Sequence, residues 1–364
     1  MNEKIEKSFS VGILGENQIL NILIGQAFGA PGTKSDLQFF NRLDESLGYI
    51  FCAISPLDYP DKIKPLLQTL YMTDIFVLAI DLNSELNSVI GEILIAMDQF
   101  NRVFKKRSII TINNINNNEW KLPETINKLN KILKKTSLEN IEIISLTQKE
   151  DIDLLKKKVI ELGLDLSSEI NNEENHVYTK ILIDHVFPVK GIGTVALALI
   201  KEGILKKGQM LEILGFNGST KKTVIKNIQK QDRNFNSAQK YDRVGLVLKG
   251  IKPLEINRDN ILVTPDIFKK ESVIQANVYI NEFYKPKNGK ITPGGDIQYY
   301  GLVNLTISPL KFLEGDTIFP GNNGSVKIQL DKHLYHDGSG LIGIITELNK
   351  FEKKNRIVGF FKQT

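Results

Sequence analysis

The stretch from His185 to Leu214 constrains the fold of this chain more than any other. It reads HVFPVKGIGTVALALIKEGILKKGQMLEIL, in which aliphatic and β-branched runs alternate with glycines at Gly191, Gly193, Gly203 and Gly208. Such runs suit strands, and glycine tolerates the positive φ that tight turns need. The stretch therefore predicts a compact antiparallel meander within a small, closed β-sheet.

Further residues of this region resemble a known protein family. The sequence Gly-x-Gly-Thr-Val at 191–195 and the spaced glycines after it look like the second domain of Tu-type translation elongation factors. The segments Lys226–Lys230 and Asp242–Gly245 resemble that domain too, most closely in the selenocysteine-specific branch. The resemblance is greatest over residues 176–265, where it implies a β-barrel. The alternative is a generic small barrel that shares only the turn glycines.

Length and composition fit a globular protein of two to three domains. The 364 residues contain no apolar run long enough to span a membrane, and the charged first ten residues differ from a signal peptide. We therefore expect a cytoplasmic protein without a membrane association. The single cysteine, Cys52, excludes an internal disulfide framework and any cysteine-rich metal site.

Charge is distributed unevenly along the chain. Residues 1–168 contain 19 Lys and Arg against 22 Asp and Glu, whereas the remaining residues contain 28 against 20. The first part therefore carries a net charge of −3 and the second a net charge of +8. This excess favours an anionic partner such as RNA for the second part, although ordinary solvated lysines explain the imbalance equally well.

Residues 1–168 alternate strand-like and helix-like segments. Apolar runs predict strands at Phe9–Leu14, Tyr49–Ile54, Ile75–Ile80, Ser108–Ile112 and Ile141–Ser145. Helical spacing of apolar residues predicts helices around 63–70, 86–97 and 152–162, the last with a capping box from Thr147 and Glu150. The pattern indicates a doubly wound α/β domain, which the family resemblance identifies as P-loop-GTPase-like.

The rest of the chain reads as strands. Ser167–Asn175 is polar and aperiodic, which predicts an interdomain linker over 169–175. Period-two patterns then predict two antiparallel β-barrels, at 176–265 and 270–364. The second resembles the third domain of Tu-type factors through Ile291–Pro293, Pro320–Asn322 and Arg356–Gly359.

The resemblance implies a phosphate-binding loop, G-x-x-x-x-G-K-S/T, after the first strand. Gly15 begins the corresponding segment, but Leu20, Asn21 and Ile22 stand where the second glycine, the phosphate lysine and the magnesium hydroxyl belong. The short Pro31–Asp36 loop stands in place of the long effector loop of the family.

The other nucleotide motifs of the family are also altered. Its D-x-x-G-H falls on 55–59, with Ser55 for the magnesium aspartate, Asp58 for the glycine and Tyr59 for the histidine. Its N-K-x-D falls on 113–116, where Asn113 is kept and Asn116 replaces the guanine-reading aspartate. Losing the phosphate lysine and that carboxylate costs roughly 3–6 kcal/mol of binding.

We therefore expect a degenerate GTPase-like domain with no catalytic residue and no cofactor. GTP and Mg²⁺ are expected only under the alternative, a functional GTP-binding elongation factor with unorthodox motifs. His333 and His336 lack a third ligand at a suitable spacing, so we expect no metal there.

In the family, the second domain holds the 3′ end of aminoacyl-tRNA. The residue that contacts the terminal adenosine falls on Gln229, and the residue lining the aminoacyl pocket falls on Arg243. Lys226, Lys230 and Arg233 lie beside Gln229 and are candidates for RNA phosphates. The alternative is that all five are polar surface residues without a ligand.

The predicted function is binding of tRNA, the ribosome or other translation factors without an effective GTP switch. A protein-binding scaffold or regulator is the remaining alternative.

Overall fold

The structure is a computed structural model that describes residues 7–45, 48–170, 178–216, 219–348 and 354–364. The chain divides into two compact units. Unit 1 consists of Met1–Asn172 with Asn349–Ile357, and unit 2 consists of Glu173–Leu348 with Val358–Thr364. The chain thus contributes a short segment to unit 1 just before its last strand.

Unit 1 is a doubly wound α/β unit, as predicted. Its sheet has the order β2-β3-β4-β1-β5-β6-β7, in which β1, β4, β5, β6 and β7 run parallel and β3 pairs antiparallel with both β2 and β4. The strands are β1 Lys7–Leu14, β2 Ala30–Lys34, β3 Leu37–Asp44, β4 Tyr49–Pro56, β5 Ile75–Asp81, β6 Arg107–Asn113 and β7 Glu142–Leu146. The helices are α1 Gln18–Phe28, α2 Ile63–Met72, α3 Ser88–Phe104, α4 Leu122–Leu133 and α5 Lys149–Ile170, with a 3-10 turn at Glu119–Lys121.

All five predicted strands of unit 1 are present, but β2 and β3 were not predicted. They replace the predicted Pro31–Asp36 loop with a hairpin whose turn is Ser35–Asp36. The sequence FF within β3 packs into the core, with Phe39 and Phe40 both fully buried, so the hairpin is held by packing rather than by turn residues.

Two predictions about α5 were wrong. At the N-terminus of α5, Thr147 bonds to the side chain of Asp151 and not to that of Glu150. The Asp151 carboxylate accepts from the Thr147 amide and hydroxyl at 2.6 and 2.8 Å. The helix also continues through Ser167 and Ser168 to residue 170, and the Ser167 hydroxyl donates to the Gly163 carbonyl at 2.8 Å. The predicted linker therefore begins too early, and its residues 171–175 lie outside the described residues.

Unit 2 contains two antiparallel β-structures. The first has the order β11-β16-β8-β9-β15-β12-β13, and a further β11–β12 pairing closes six of these strands into a ring, while β10 and β14 form a separate pair. Its strands are β8 Lys180–Val189, β9 Gly193–Glu202, β10 Ile204–Lys206, β11 Met210–Leu214, β12 Lys221–Lys230, β13 Arg233–Phe235, β14 Ser237–Gln239, β15 Arg243–Leu248 and β16 Ile261–Val263. A 3-10 turn spans Pro253–Glu255.

The second structure is a closed barrel of the order β17-β20-β19-β18-β21-β22. Its strands are β17 Lys269–Ile280, β18 Tyr299–Val303, β19 Thr306–Gly315, β20 Asn323–His336, β21 Ile342–Thr346 and β22 Ile357–Gln363. Alternate residues of these strands fill the core, as in β17, where Ile274, Ala276, Val278 and Ile280 are buried.

The predicted meander over 185–214 is only partly correct. Strands β8 and β9 form the expected hairpin, but β10 pairs with β14, and β11 pairs with β12 and β16. The chain leaves β9 at Gly203, whose φ is +74° and where a Cβ would lie 2.1 Å from the Tyr178 carbonyl oxygen. Glycine is required at this position, and the bend redirects the following strands to other partners.

Candidate functional site

The loop between β1 and α1 occupies the place of a phosphate-binding loop, yet only Gly15, Glu16 and Asn17 connect the two elements. The Asn17 side-chain oxygen caps the helix, accepting from the Ile19 and Leu20 amides at 3.0 and 3.2 Å. Amides of a first helical turn are the groups that bind phosphate in such folds. In this chain a side chain of the loop itself occupies two of them.

Asn21 and Gly15, two of the predicted nucleotide positions, contact each other. Asn21 is fully buried and donates to the Gly15 carbonyl at 3.0 Å, so it does not extend towards a ligand. Gly15 packs closely as well, since a Cβ there would lie 2.6 Å from the Ala79 carbonyl oxygen. Ile22 is half-buried within α1. These residues pack the junction of strand and helix.

Ser55 and Asp58 lie at the end of β4 and just after it. Ser55 is fully buried, and its hydroxyl has no hydrogen-bond partner among the described residues. Asp58 forms an exposed ion pair with Lys62 at 2.8 Å. Ser55 has no carboxylate to hold a magnesium-bound water, and the Asp58 carboxylate is paired with Lys62.

Tyr59 occupies the position of the family's catalytic histidine and is buried. Its hydroxyl lies 3.1 Å from both the Val89 carbonyl oxygen and a Glu92 carboxylate oxygen. Burial and the neighbouring Glu92 carboxylate raise the pKa of Tyr59 far above its ordinary value. A neutral, buried phenol with these partners does not act as a general base.

The Glu92 carboxylate is itself held by Arg356, from the segment of unit 1 that precedes β22. The Arg356 guanidinium donates to both Glu92 oxygens at 3.1 and 2.6 Å, and the Arg356 amide donates to one of them at 2.7 Å. The guanidinium also donates to the Pro60 carbonyl at 2.9 Å. The two side chains are 3% and 1% exposed. The loop that would sense a γ-phosphate in the family is therefore fixed by a buried ion pair.

Asn113 and Asn116 differ in their surroundings. Asn113 ends β6 and is buried, donating to the Ile80 and Thr111 carbonyls at 3.2 and 3.3 Å. Asn116 is exposed in the following turn. The Asn113 amide is thus bonded within the sheet, and the Asn116 side chain lies at the surface.

Asp81, at the end of β5, joins the loops at this edge of the sheet and was not predicted from the sequence. Its carboxylate accepts from the Asn17 and Asn114 side chains, each at 2.7 Å, and from the Asn83 amide at 2.9 Å. Partial burial opposes ionisation, but the hydrogen bonds outweigh it and lower the pKa of Asp81. The sequence signal that could have revealed Asp81 is an aspartate at the end of a buried strand, followed by an asparagine-rich run.

The carboxyl edge of the parallel sheet is strongly acidic. The residues at 15–17, 57–62, 81–87, 114–124 and 147–151 include nine Asp or Glu and three Lys, a net charge of −6. Ligands of doubly wound folds bind at this edge. A negative field of this size repels the polyphosphate of a nucleotide.

The predicted RNA-binding residues of β12, β13 and β15 fall into two groups. Lys230 forms an ion pair with Asp242 at 2.6 Å, and Arg243 pairs with Asp184 at 2.8 Å, with all four side chains largely buried. Each cation is thus paired with a carboxylate of the same barrel in a largely buried position. Direct phosphate contacts by these two residues are not compatible with this geometry.

The second group lies at the surface. Lys226 on β12 and Arg233 on the neighbouring β13 are exposed, and Gln229 on β12 is half-buried. The side-chain oxygen of Asn234 accepts from Asn227 at 2.6 Å and from Gln229 at 3.1 Å. These amide groups form a fixed polar surface flanked by two cations.

Within the described residues, no cluster of three or more His, Cys, Asp or Glu side chains is placed to hold a metal ion. His336 accepts from the Gly338 and Gly340 amides through Nδ1, and its Nε2 lies 3.3 Å from Glu271. None of the helices in the described ranges is long and apolar enough to span a membrane.

Comparison with known sequences shows a family match over most of the first barrel. Residues 193–262 match the family elongation factor Tu domain 2. An uncharacterized protein of Methanocaldococcus jannaschii is 29% identical over 316 residues, which are 86% of this chain and 88% of that protein. The selenocysteine-specific elongation factor of the same organism is 33% identical over 219 residues, which are 58% of this chain and 44% of that factor.

Solved structures show the same fold over nearly the whole chain. Translation elongation factor SelB from Methanococcus maripaludis, in complex with the GTP analogue GppNHp, aligns with a TM-score of 0.79 at 22% identity, covering 99% of this chain and 79% of that one. Its apo form aligns with a TM-score of 0.78. The predicted fold class and the resemblance to selenocysteine-specific elongation factors are both confirmed.

Proposed function

We propose that this translation-factor-like protein works without a nucleotide switch. The match of residues 193–262 to elongation factor Tu domain 2, together with the fold shared with SelB, supports the description as translation-factor-like. The protein binds tRNA, or another part of the translation machinery, through the first barrel of unit 2. The observation that carries the first part is the Asn17 cap: two amides that a phosphate would use are already bonded within the chain.

The other changes in unit 1 support the same conclusion. Asp81 ties the β1–α1 loop to Asn83 and Asn114, and the loop after β4 is fixed by Arg356 and Glu92. A switch needs an element whose equilibrium the ligand can shift. Here the chain's own side chains hold the two loops that a nucleotide would order.

The proposed RNA surface consists of Lys226, Gln229 and Arg233. The cations supply the electrostatic attraction to phosphates, and the Gln229 amide, fixed by Asn234, supplies hydrogen bonds to an unpaired base. Lys230 and Arg243 act through their ion pairs with Asp242 and Asp184, which hold β12 and β15 in place.

Thermal unfolding with millimolar GTP and Mg²⁺ tests the first part of the proposal. A ligand at about a hundred times its Kd would add about 2.7 kcal/mol of stability. We expect no rise in Tm with GTP relative to ATP. A rise specific to GTP would establish a functional nucleotide site and overturn the proposal.

Binding of tRNA to the full chain tests the second part. We expect Gln229→Ala to weaken binding of tRNA with an intact 3′ end while leaving the salt dependence unchanged, because a neutral amide releases no counterion. The matched control is Gln275→Ala on the second barrel, another amide at the surface of a strand. Equal effects of the two substitutions, or equal affinity for tRNA with a trimmed 3′ end, would contradict the proposed surface.

A further inference from the structure

A groove of about 750 Å³ lies on the second barrel, separate from the surface proposed for RNA. Its walls are residues 311–313 of β19 and the loop 287–298, which leads into Tyr299 at the start of β18. The floor is formed by Tyr299 and Phe312, whose rings stack at 5.3 Å and which are only 5% and 6% exposed.

The loop that forms one wall is fixed by backbone hydrogen bonds. Ile291 exchanges two bonds with Ile318 at 2.8 and 2.9 Å, and the Gly294 amide donates to the Phe312 carbonyl at 2.8 Å. In addition, the Gln298 side-chain amide donates to the Tyr299 and Leu310 carbonyls at 2.7 and 3.1 Å. A groove with fixed walls loses little conformational entropy when it binds a ligand.

The groove is basic at its rim. Lys287, Lys290 and Lys311 line it and are exposed, and Asp296 is the one acidic residue among the lining residues. In the part of the chain that the structure describes, none of the three lysines has an ion pair or a side-chain hydrogen bond. The acid nearest in sequence to Lys311, Glu314, pairs with Lys327 at 2.8 Å.

Apolar groups are exposed in the same groove. Leu313 is 41% exposed, and Ile297 packs on the core from the loop wall. A ligand that matches both features carries negative charge and aliphatic side chains. We propose that this groove binds an acidic peptide segment of a partner protein, with carboxylates at the three lysines and an aliphatic residue against Leu313.

The aromatic residues distinguish this ligand from a single-stranded nucleic acid. Binding of unpaired bases relies on exposed aromatic faces for stacking. Tyr299 and Phe312 are buried beneath the groove and offer no such face. The exposed lining side chains include three lysines and Leu313, which suit the carboxylate and aliphatic groups of a peptide, and none of them is aromatic.

Fluorescence anisotropy of the full chain with labelled peptides tests the proposal. The probe is a peptide of about twelve residues that combines glutamates with leucines, and a version with glutamine for glutamate is its neutral counterpart. We expect the neutral peptide to bind at least about tenfold more weakly, because three charge pairs are lost. No binding of the acidic probe by the wild-type chain would overturn the proposal.

Variants locate the binding. The triple variant Lys287→Glu, Lys290→Glu, Lys311→Glu should weaken the acidic peptide by roughly tenfold or more, and Leu313→Ser by a smaller factor of about three. Lys269→Glu with Lys270→Glu, exposed lysines on β17 of the same barrel, is the matched control and should bind normally. Because these side chains are exposed, an unchanged Tm confirms that each variant folds.

Three results would refute the peptide assignment. An equal loss of affinity in the control variant and the triple variant would indicate general electrostatic attraction. An affinity unchanged by Leu313→Ser would show that the apolar contact is not made. Displacement of the peptide by a uridine oligonucleotide at equal concentration, with loss of that binding in the triple variant, would identify the groove as a nucleic-acid site.

Discussion

The carboxyl edge of the unit 1 sheet and the β12 surface of unit 2 use polar side chains in opposite ways. At the sheet edge, Asn17, Asp81 and Asn114 bond to one another and to the backbone. On β12, Lys226 extends from the barrel, and Gln229 is held by a single neighbouring amide. A polar group that is satisfied within the chain stabilises the fold, whereas an exposed one remains available to a ligand.

Breaking the most buried ion pair among the described residues of unit 1 should have the largest effect. Glu92→Gln leaves the Arg356 guanidinium buried without its charge partner, which should cost about 3–5 kcal/mol of unfolding free energy. Urea unfolding measures the loss. The matched control is Glu124→Gln, whose partner Lys128 is exposed, and it should leave the stability nearly unchanged. A similar midpoint for wild type and Glu92→Gln would show that the buried pair contributes little.

Asp81→Asn should have the next largest effect. Three donors face the Asp81 carboxylate, and hydrogen bonds to a charged group contribute more than neutral ones, so we expect a loss of about 1–3 kcal/mol. The pKa of Asp81 is lowered in the folded state. Its ionised carboxylate therefore contributes to the unfolding free energy above the unfolded-state pKa, and this contribution is lost as pH falls through the folded-state pKa.

The pH dependence separates this effect from simple loss of packing. Wild type should lose stability relative to Asp81→Asn as pH falls below about 4, the ordinary pKa of an aspartate. The two stability curves should therefore converge in acid. Curves that stay parallel between neutral and acidic pH would show that the charge of Asp81 is not the stabilising feature.

The sequence predicted the parallel strands of unit 1 well because each is a short apolar run between polar turns. It did not predict β2 and β3, since Ala30–Lys34 contains Pro31 and Gly32 and lacks a strand-like pattern. The hairpin exists because Phe39 and Phe40 pack into the core, which is a tertiary effect.

The candidate sites were predictable by position but not by partner. Motif spacing located Ser55 and Asn113 near the ends of β4 and β6, and Asn21 in the first turn of the helix after β1. It did not show that Lys230 and Arg243 pair with Asp242 and Asp184, because partners far apart in sequence are brought together only by strand register. The charge of a residue alone therefore did not reveal whether it is available to a ligand.

Asn17→Ala should have a smaller effect on stability than Asp81→Asn. It removes the cap of α1 together with one donor to Asp81, and loss of an N-cap typically costs about 0.5–2 kcal/mol. Asn17→Asp is the informative control, because it restores a capping oxygen but places a second carboxylate beside Asp81. Recovery of stability in Asn17→Asp would show that the cap matters more than the contact with Asp81.

The same variant sharpens the conclusion about nucleotides. Asn17→Ala exposes the first-turn amides, yet the edge keeps a net charge of −6. We expect no GTP-dependent rise in Tm for this variant. If GTP stabilises Asn17→Ala but not wild type, the cap alone closes the site, and the acidic edge is not a barrier to nucleotide binding.

The smallest effect on stability is expected at the β12 surface, where Lys226→Ala should change the unfolding free energy by less than about 0.5 kcal/mol. Its effect on tRNA binding should be clear, because one lost phosphate contact reduces the slope of log affinity against log salt by about one. Lys222→Ala, an exposed lysine of the same strand, serves as the control for general loss of charge.

Lys230→Ala should do the reverse of Lys226→Ala. It should lower stability and leave the salt slope unchanged, because the charge of Lys230 is already matched by Asp242. If Lys230→Ala changed the salt slope as much as Lys226→Ala, the division between internally paired and ligand-facing cations would not hold for this barrel.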